Sequence, residues 1–397
     1  MRTTQHKRLY YLDWLRVSAF GLLFLFHSWR PFDHMPWHMK SADQSVVFDL
    51  LTMFVHGWRM FLIFLVSGAG TWLAMRARGD RFFLDRVLRL LLPFLFSIVI
   101  IIPPQRFYEW ISFGGFEGSY LDFLQVYPAQ QLSADMGSSV LLWFGHLGTH
   151  VWYLPFLFVM TLMTLPLLEW IRLGNVSFSR LKSVMSTRAG VFVLAVPMIV
   201  SRFVLKPIYP EYTDWADFFV YLWPFLYGFI FMADRQFLDI IKNRMWAFLA
   251  VGSICSATFI YMGSTNEQHV QAYMNPEFSW LHGIISVLTM LIAYSWIMFF
   301  LALFARTMNF KHKWLVPANI SILPVYVLHQ TLIVVFGFYI VQLDLPMGLR
   351  FLGIVLTAIP ASVLIYKVIK TNNVTRFLFG LKPLPKAELL PAKELSL

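Results

Sequence analysis

Hydrophobic and polar positions fall along this chain in blocks, with apolar runs over 12–29, 50–75, 87–103, 151–171, 190–205, 218–233, 245–263, 280–305, 314–341 and 348–367. Crossing the hydrocarbon layer takes roughly 20 helical residues, and these runs bracket that length. Their count predicts an all-α fold, a polytopic integral membrane helical bundle of about ten transmembrane helices. No repeat, low-complexity tract or appended soluble domain interrupts the series, so residues 1–375 read as a single transmembrane domain and 376–397 as a cytoplasmic tail. The longest connection, 104–150, is aromatic and glycine-containing (Phe113-Gly114-Gly115-Phe116) and is expected to lie as a partly ordered lid over the outer mouth.

The placement of charge orients the bundle. Lys and Arg crowd alternate connections: Arg2, Lys7 and Arg8; Arg76 to Arg89; Arg172 to Arg188; Arg235 to Arg244; Arg306 to Lys313; and Lys367 to Lys393. The opposite connections hold only Arg30, Lys40, Arg106, Arg202, Lys206 and Arg350, while Arg16 and Arg59 fall inside runs. Such asymmetry follows the positive-inside rule and predicts both termini in the cytoplasm.

Composition agrees. Charged residues make up 13% of the chain and hydrophobic ones 58%, whereas a soluble domain carries about a quarter charged residues. The net charge of +11 sits beside the apolar runs rather than in a patch, so lipid and not nucleic acid is the expected partner. A lone cysteine, Cys255, excludes a disulfide framework and a cysteine metal site, and no metal is expected. The first run carries Asp13, Arg16 and His27 and has no small-residue cleavage site, so it reads as a span and not as a removable signal.

Ionisable side chains at membrane depth are costly and therefore functional candidates. Arg16 and His27 are eleven residues apart, about three turns plus 20°, which puts them on one helix face with a rise of about 16.5 Å between them. Asp13, at i−3, is positioned to pair with Arg16. Two readings stand open: a functional pair, or an arginine that snorkels to the interface above a hydrogen-bonded interior histidine. The second run adds His56 and Arg59, and the ninth adds His329. His146, His150, Arg202, Asp217, Glu277 and His282 are further candidates on the outer side. Arg86 and Arg89 project from one face and could grip a polyphosphate, although ordinary positive-inside excess also accounts for such a cluster. Ser67-Gly68-Ala69-Gly70 suits close helix packing, and Trp152, Tyr153, Trp223 and Trp280 suit interfacial belts.

These residues together resemble the acyltransferase-3 family of bacterial integral-membrane acyltransferases. Tyr11-Leu12-Asp13-Trp14-Leu15-Arg16 leading to Phe26-His27 is similar to that family's Arg-x10-His pattern. Ser67-Gly68-Ala69 resembles its Ser-Gly-Phe signature, with Ala in place of Phe, and Arg86-Val87-Leu88-Arg89 before Pro93 resembles its Arg-x-x-Arg motif. His150-Val151-Trp152-Tyr153-Leu154 is similar to a segment of the branch that includes glucan succinyltransferases, and Tyr326-Val327-Leu328-His329 to a late Tyr-x-x-His segment.

The resemblance implies an O-acyltransferase of the bacterial inner membrane. It would carry an acetyl or succinyl group from cytoplasmic acyl-coenzyme A to a hydroxyl of a cell-envelope carbohydrate. His27 would take the acceptor proton or accept the acyl group itself, with Arg16 orienting the donor and Asp13 holding Arg16. Arg86 and Arg89 would contact the coenzyme A phosphates, and His56, Arg59, His150 and His329 would support the acceptor side. A second copy of the chain or an envelope-biosynthesis protein is the expected kind of protein partner. Buried His and Arg would serve a secondary transporter of a small polar or anionic solute equally well, although the internal repeat common in transporters is missing.

Overall fold

The structure is a computed structural model that describes residues 8–132 and 139–384. Among these residues the regular structure is entirely helical. Helix α1 is Tyr10–Trp29, α2 is Val46–His56 and α3 is Arg59–Arg78. Phe82–Arg86 continues through Val87–Leu91, Leu92–Phe96 and Ser97–Ile101 into Ile102–Ser112 as one unbroken helix, α4. Then come α5 (Tyr153–Arg172), α6 (Ala195–Leu205), α7 (Trp215–Ala233), α8 (Met245–Thr265), α9 (Trp280–Thr307), α10 (Leu315–Ile340) and α11 (Met347–Ile369).

All ten apolar runs lie on helices. Seven stretches among the described residues are long and apolar enough to cross a membrane: α2 through α4 taken together, then α5, α7, α8, α9, α10 and α11. Helix α1 has the length, but Asp13, Arg16 and His27 dilute its hydropathy, and α6 has only 11 residues. The protein is an all-α, multi-pass membrane protein.

Three expectations change in detail. The second run is broken at Gly57-Trp58, where Gly57 caps α2 by donating to Met53 O and Val55 O; the break turns His56 and Arg59 toward the interior. The fifth run begins as a 3-10 turn, Gly190–Phe192, and only its second half is α-helical. The third run extends to Ser112, and the 104–150 connection contains two further helices, Tyr120–Leu132 and Val140–Gly148. A short helix, Asn373–Leu378, crosses the 375/376 boundary expected between bundle and tail, and residues 385–397 lie outside the described part.

Helix α7 is central, with 72% of its most apolar window buried, whereas α11 is peripheral at 22%. Glycine sets the tightest crossing. A Cβ on Gly68 of α3 would fall on the Phe225 carbonyl of α7, and one on Gly228 of α7 would fall on the Leu65 carbonyl. Where lipid supplies no hydrophobic force between helices, such small residues let backbones touch and gain dispersion contacts. Helix α4 carries two π turns, and in the first Leu92 N–H reaches back five residues to Val87 O, which widens the helix at Arg89. Turns of this kind are frequent at functional sites.

Candidate active site

Two chambers meet along α1. The larger, about 360 Å³, is lined by His27, Trp37, His38, His56, Arg59, His150 and Gln330 among others. The smaller, about 200 Å³, is lined by Arg16, Ser67, Gly70, Arg78, Arg86, Arg89 and Asn319. Phe20, Tyr153 and Tyr326 line both. Phe20 lies one turn beyond Arg16 on the way to His27, so α1 forms a continuous wall past the two chambers.

The arginine chamber is built from α1, α3, α4 and α10. Arg16 Nη1 donates to Asn319 Oδ1 at 3.3 Å, and Asn319 Nδ2 donates to Asp13 Oδ1 at 2.5 Å. Asp13 forms its ion pair with Arg8, at 2.6 Å, and not with Arg16. The pairing expected from the i−3 spacing is therefore indirect, because the Arg16 side chain turns into the chamber and Asn319 spans the gap. Gly70 makes room for that turn, since a Cβ there would stand 2.6 Å from Arg16 Nη2. Arg86 donates to the Thr71 hydroxyl, sits over the Phe82 ring at 5.2 Å, and leaves its buried Nε without a partner. Arg78 pairs with Asp85 at 2.6 Å. The Arg89 side chain makes no hydrogen bond or ion pair among the described residues. Four guanidinium groups thus share the chamber with one carboxylate, an excess of positive charge that suits a polyanion.

The histidine chamber collects residues far apart in sequence. His27 lies 5.2 Å from the His329 ring and stacks on Trp37 at 6.2 Å. His329 lies 5.5 Å from the His150 ring and is itself outside the chamber lining, buried just behind it. His150 Nε2 contacts Val327 O at 2.9 Å, and His329 Nδ1 contacts Tyr326 O at 2.5 Å. The other nitrogens, His27 Nδ1, His150 Nδ1 and His329 Nε2, are buried and unpartnered. Orphaned polar atoms are costly in an interior, so this clustering points to a site that a ligand completes. Among the described residues no group of three or more His, Cys, Asp or Glu could hold a metal ion. Arg59, 6% exposed, lies 3.4 Å from the Phe26 ring centre and lines the chamber with Tyr212, while its Nε and Nη1 have no partner. His56 packs against Phe26 and Tyr212.

The expected site residues therefore divide into two groups. His27, His56, Arg59 and His150 line one chamber, Arg16, Arg86 and Arg89 line the other, and Asp13 and His329 stand behind the walls. The remaining outer candidates are placed elsewhere. Arg202 sits over Tyr273, Asp217 pairs with Lys206 at 3.2 Å, His282 stacks on Phe203, and Glu277 is exposed. His146 contributes its backbone carbonyl to Gln131, and burial together with the Arg106 charge holds its imidazole below the usual histidine range.

Several participants were not expected. Tyr153, read as a belt residue, is buried where the chambers meet and hydrogen-bonds Ser67. Trp152 is a chamber residue too. The loop between α1 and α2 holds Trp37 and His38 in place through Asp33, which is fully buried. Asp33 accepts from Lys40 at 2.6 Å and from Thr52 at 2.8 Å, and forms an ion pair with Arg30 at 2.9 Å.

A family model described as an acyltransferase domain matches residues 9–367. The chain belongs to the acyltransferase-3 family. It is a membrane acyltransferase, which decides between the enzyme and transporter readings. It is 24% identical over 394 residues to "Glucans biosynthesis protein C" of Escherichia coli O81 (strain ED1a), covering 98% of each chain. The proteins of the same name from Shigella boydii serotype 4 (strain Sb227) and Escherichia coli (strain K12) match at the same identity and coverage. No solved structure matches the acyltransferase significantly. The matched region contains both chambers whole.

Proposed function

We propose that this acyltransferase moves an acetyl or succinyl group from cytoplasmic acyl-coenzyme A to a hydroxyl of a cell-envelope carbohydrate, across the bacterial inner membrane. The observation that carries this reading is the back-to-back pair of chambers, one rich in arginine and one in histidine, with Phe20, Tyr153 and Tyr326 common to both. The arginine chamber lies at the end of α1 that the positive-inside pattern assigns to the cytoplasm, which with ten spans keeps both termini inside. Arg86 and Arg89, helped by Arg78 and Arg16, bind the donor phosphates, and the thioester arm runs past Tyr153 toward His27.

At His27 the acyl carbon meets its nucleophile. The imidazole removes the acceptor proton, or first accepts the acyl group and passes it on. In either case the carbon–sulfur bond breaks, an acyl–oxygen bond forms, and the proton from the hydroxyl ends on the thiol of coenzyme A. The free nitrogens of Arg59 are placed to stabilise the developing oxyanion. The relatives' printed name, with its reference to glucans, supports a carbohydrate acceptor.

Mass spectrometry of envelope glycans from cells with and without the chain tests this reading. Loss of an acyl mass on deletion is the expected result. Unchanged glycans, with coenzyme A thioesters left intact by the purified protein, would contradict it.

A further inference from the structure

The α1–α2 loop places a second histidine on the wall of the larger chamber. His38 Nδ1 lies within ion-pair distance of Glu109 Oε2, at 3.0 Å but too angled for a hydrogen bond, and Arg106 Nη1 holds the same carboxylate oxygen at 2.9 Å. A nitrogen facing a carboxylate must carry the proton, because two lone pairs would otherwise meet. In the neutral ring Nε2 is then the acceptor, and it receives the side-chain amides of Gln330 at 2.6 Å and Gln105 at 3.1 Å. Gln330 is itself a chamber residue, and its buried Oε1 has no partner. An entering hydroxyl can take the place of the Gln330 amide and donate its one proton to His38 Nε2.

His27 lacks such support. No carboxylate pairs with it among the described residues, and the groups that act on it electrostatically are His329, Arg59, His150 and Arg30. A base becomes a cation when it accepts its proton, so the ring with an adjacent carboxylate is the better base. Trp37 separates the two histidines, with its ring 6.2 Å from His27 and 5.2 Å from His38.

We propose that His38, backed by Glu109, is the catalytic base for the acceptor hydroxyl, leaving His27 to meet the acyl group. This rests on the reading of function above. The hydroxyl proton moves to His38 Nε2 as its oxygen bonds the acyl carbon. The bond from that carbon to its leaving group, thioester sulfur or His27 nitrogen, breaks with its electron pair. His38 then returns the proton to the departing group, so nothing else is consumed. Glu109 acts as a positioning residue through the imidazolium it stabilises.

The test compares acyl mass on envelope glycans in cells carrying His38→Gln, Glu109→Gln or Glu109→Asp, with binding of labelled acyl-coenzyme A to each purified protein. His38→Gln should lose glycan acylation by about 10²–10⁴-fold, the usual range for a general base, while binding the donor within about twofold of wild type. Glu109→Gln should lose less, and Glu109→Asp should recover part of that loss. Near-normal glycan acylation in His38→Gln overturns the proposal, and so does a loss of donor binding that matches the loss of acylation. If cells lacking the chain keep the full glycan acyl mass, the functional reading fails instead, whatever His38 does.

Discussion

The guanidinium of Arg16 occupies the space that a side chain on Gly70 would need, with Nη2 2.6 Å from the position of that missing Cβ. Two residues on neighbouring helices thus share one volume, and the arginine can enter its chamber only because the glycine stays small. Gly68, two positions earlier, is tight against backbone instead. Backbone cannot step aside, whereas the end of a long side chain can.

Substitution should separate the two glycines. Gly70→Ala is expected to displace Arg16, with little change in melting temperature and a clear loss of activity. Gly68→Ala should force α3 and α7 apart and lower the melting temperature and yield in detergent. Thermal unfolding and acyl transfer, measured side by side on both variants, check the pair.

Replacing Arg86 and Arg89 together by Gln should raise the KM for acyl-coenzyme A by tenfold or more, and leave the KM for the acceptor within about twofold. Removing two phosphate contacts of this kind costs roughly 3 kcal/mol in all. Steady-state kinetics with each substrate varied in turn decides it, and a larger change on the acceptor side would contradict the assignment.

Asp33 is the fixed point of the loop that presents Trp37 and His38. It is fully buried with Arg30 and Lys40 on it, and breaking a buried pair by removing one partner costs about 3–5 kcal/mol. Asp33→Asn should therefore destabilise the protein by that order in a denaturant series, far more than the same change at the exposed Asp80.

Much of this was legible in the chain alone, because lipid imposes two strong rules. Runs of apolar residues had to become helices, since unpaired backbone polar groups are not tolerated in hydrocarbon. Arg16, His27 and Arg59 stood out because charge is rare at membrane depth, and Arg86 and Arg89 because they project from one helix face beside it. What was hidden depends on tertiary approach. Tyr153 looked like any interfacial tyrosine, and only the fold brings it against Ser67. The role of Asn319 between Asp13 and Arg16 joins positions some three hundred residues apart. His38 and Glu109 sit on a polar loop and at a helix end, where ionisable residues raise no alarm. The break at Gly57 was masked by an apolar run that continues across it.

The central claim is that chemistry takes place at the histidine end of α1, so the most direct measurement is transfer of labelled acyl groups from acyl-coenzyme A by purified His27→Ala protein. It should be compared with wild type under conditions where both melt at the same temperature. The account predicts a rate lower by about 10²-fold or more, with donor binding retained in the arginine chamber. A rate close to wild type would contradict it.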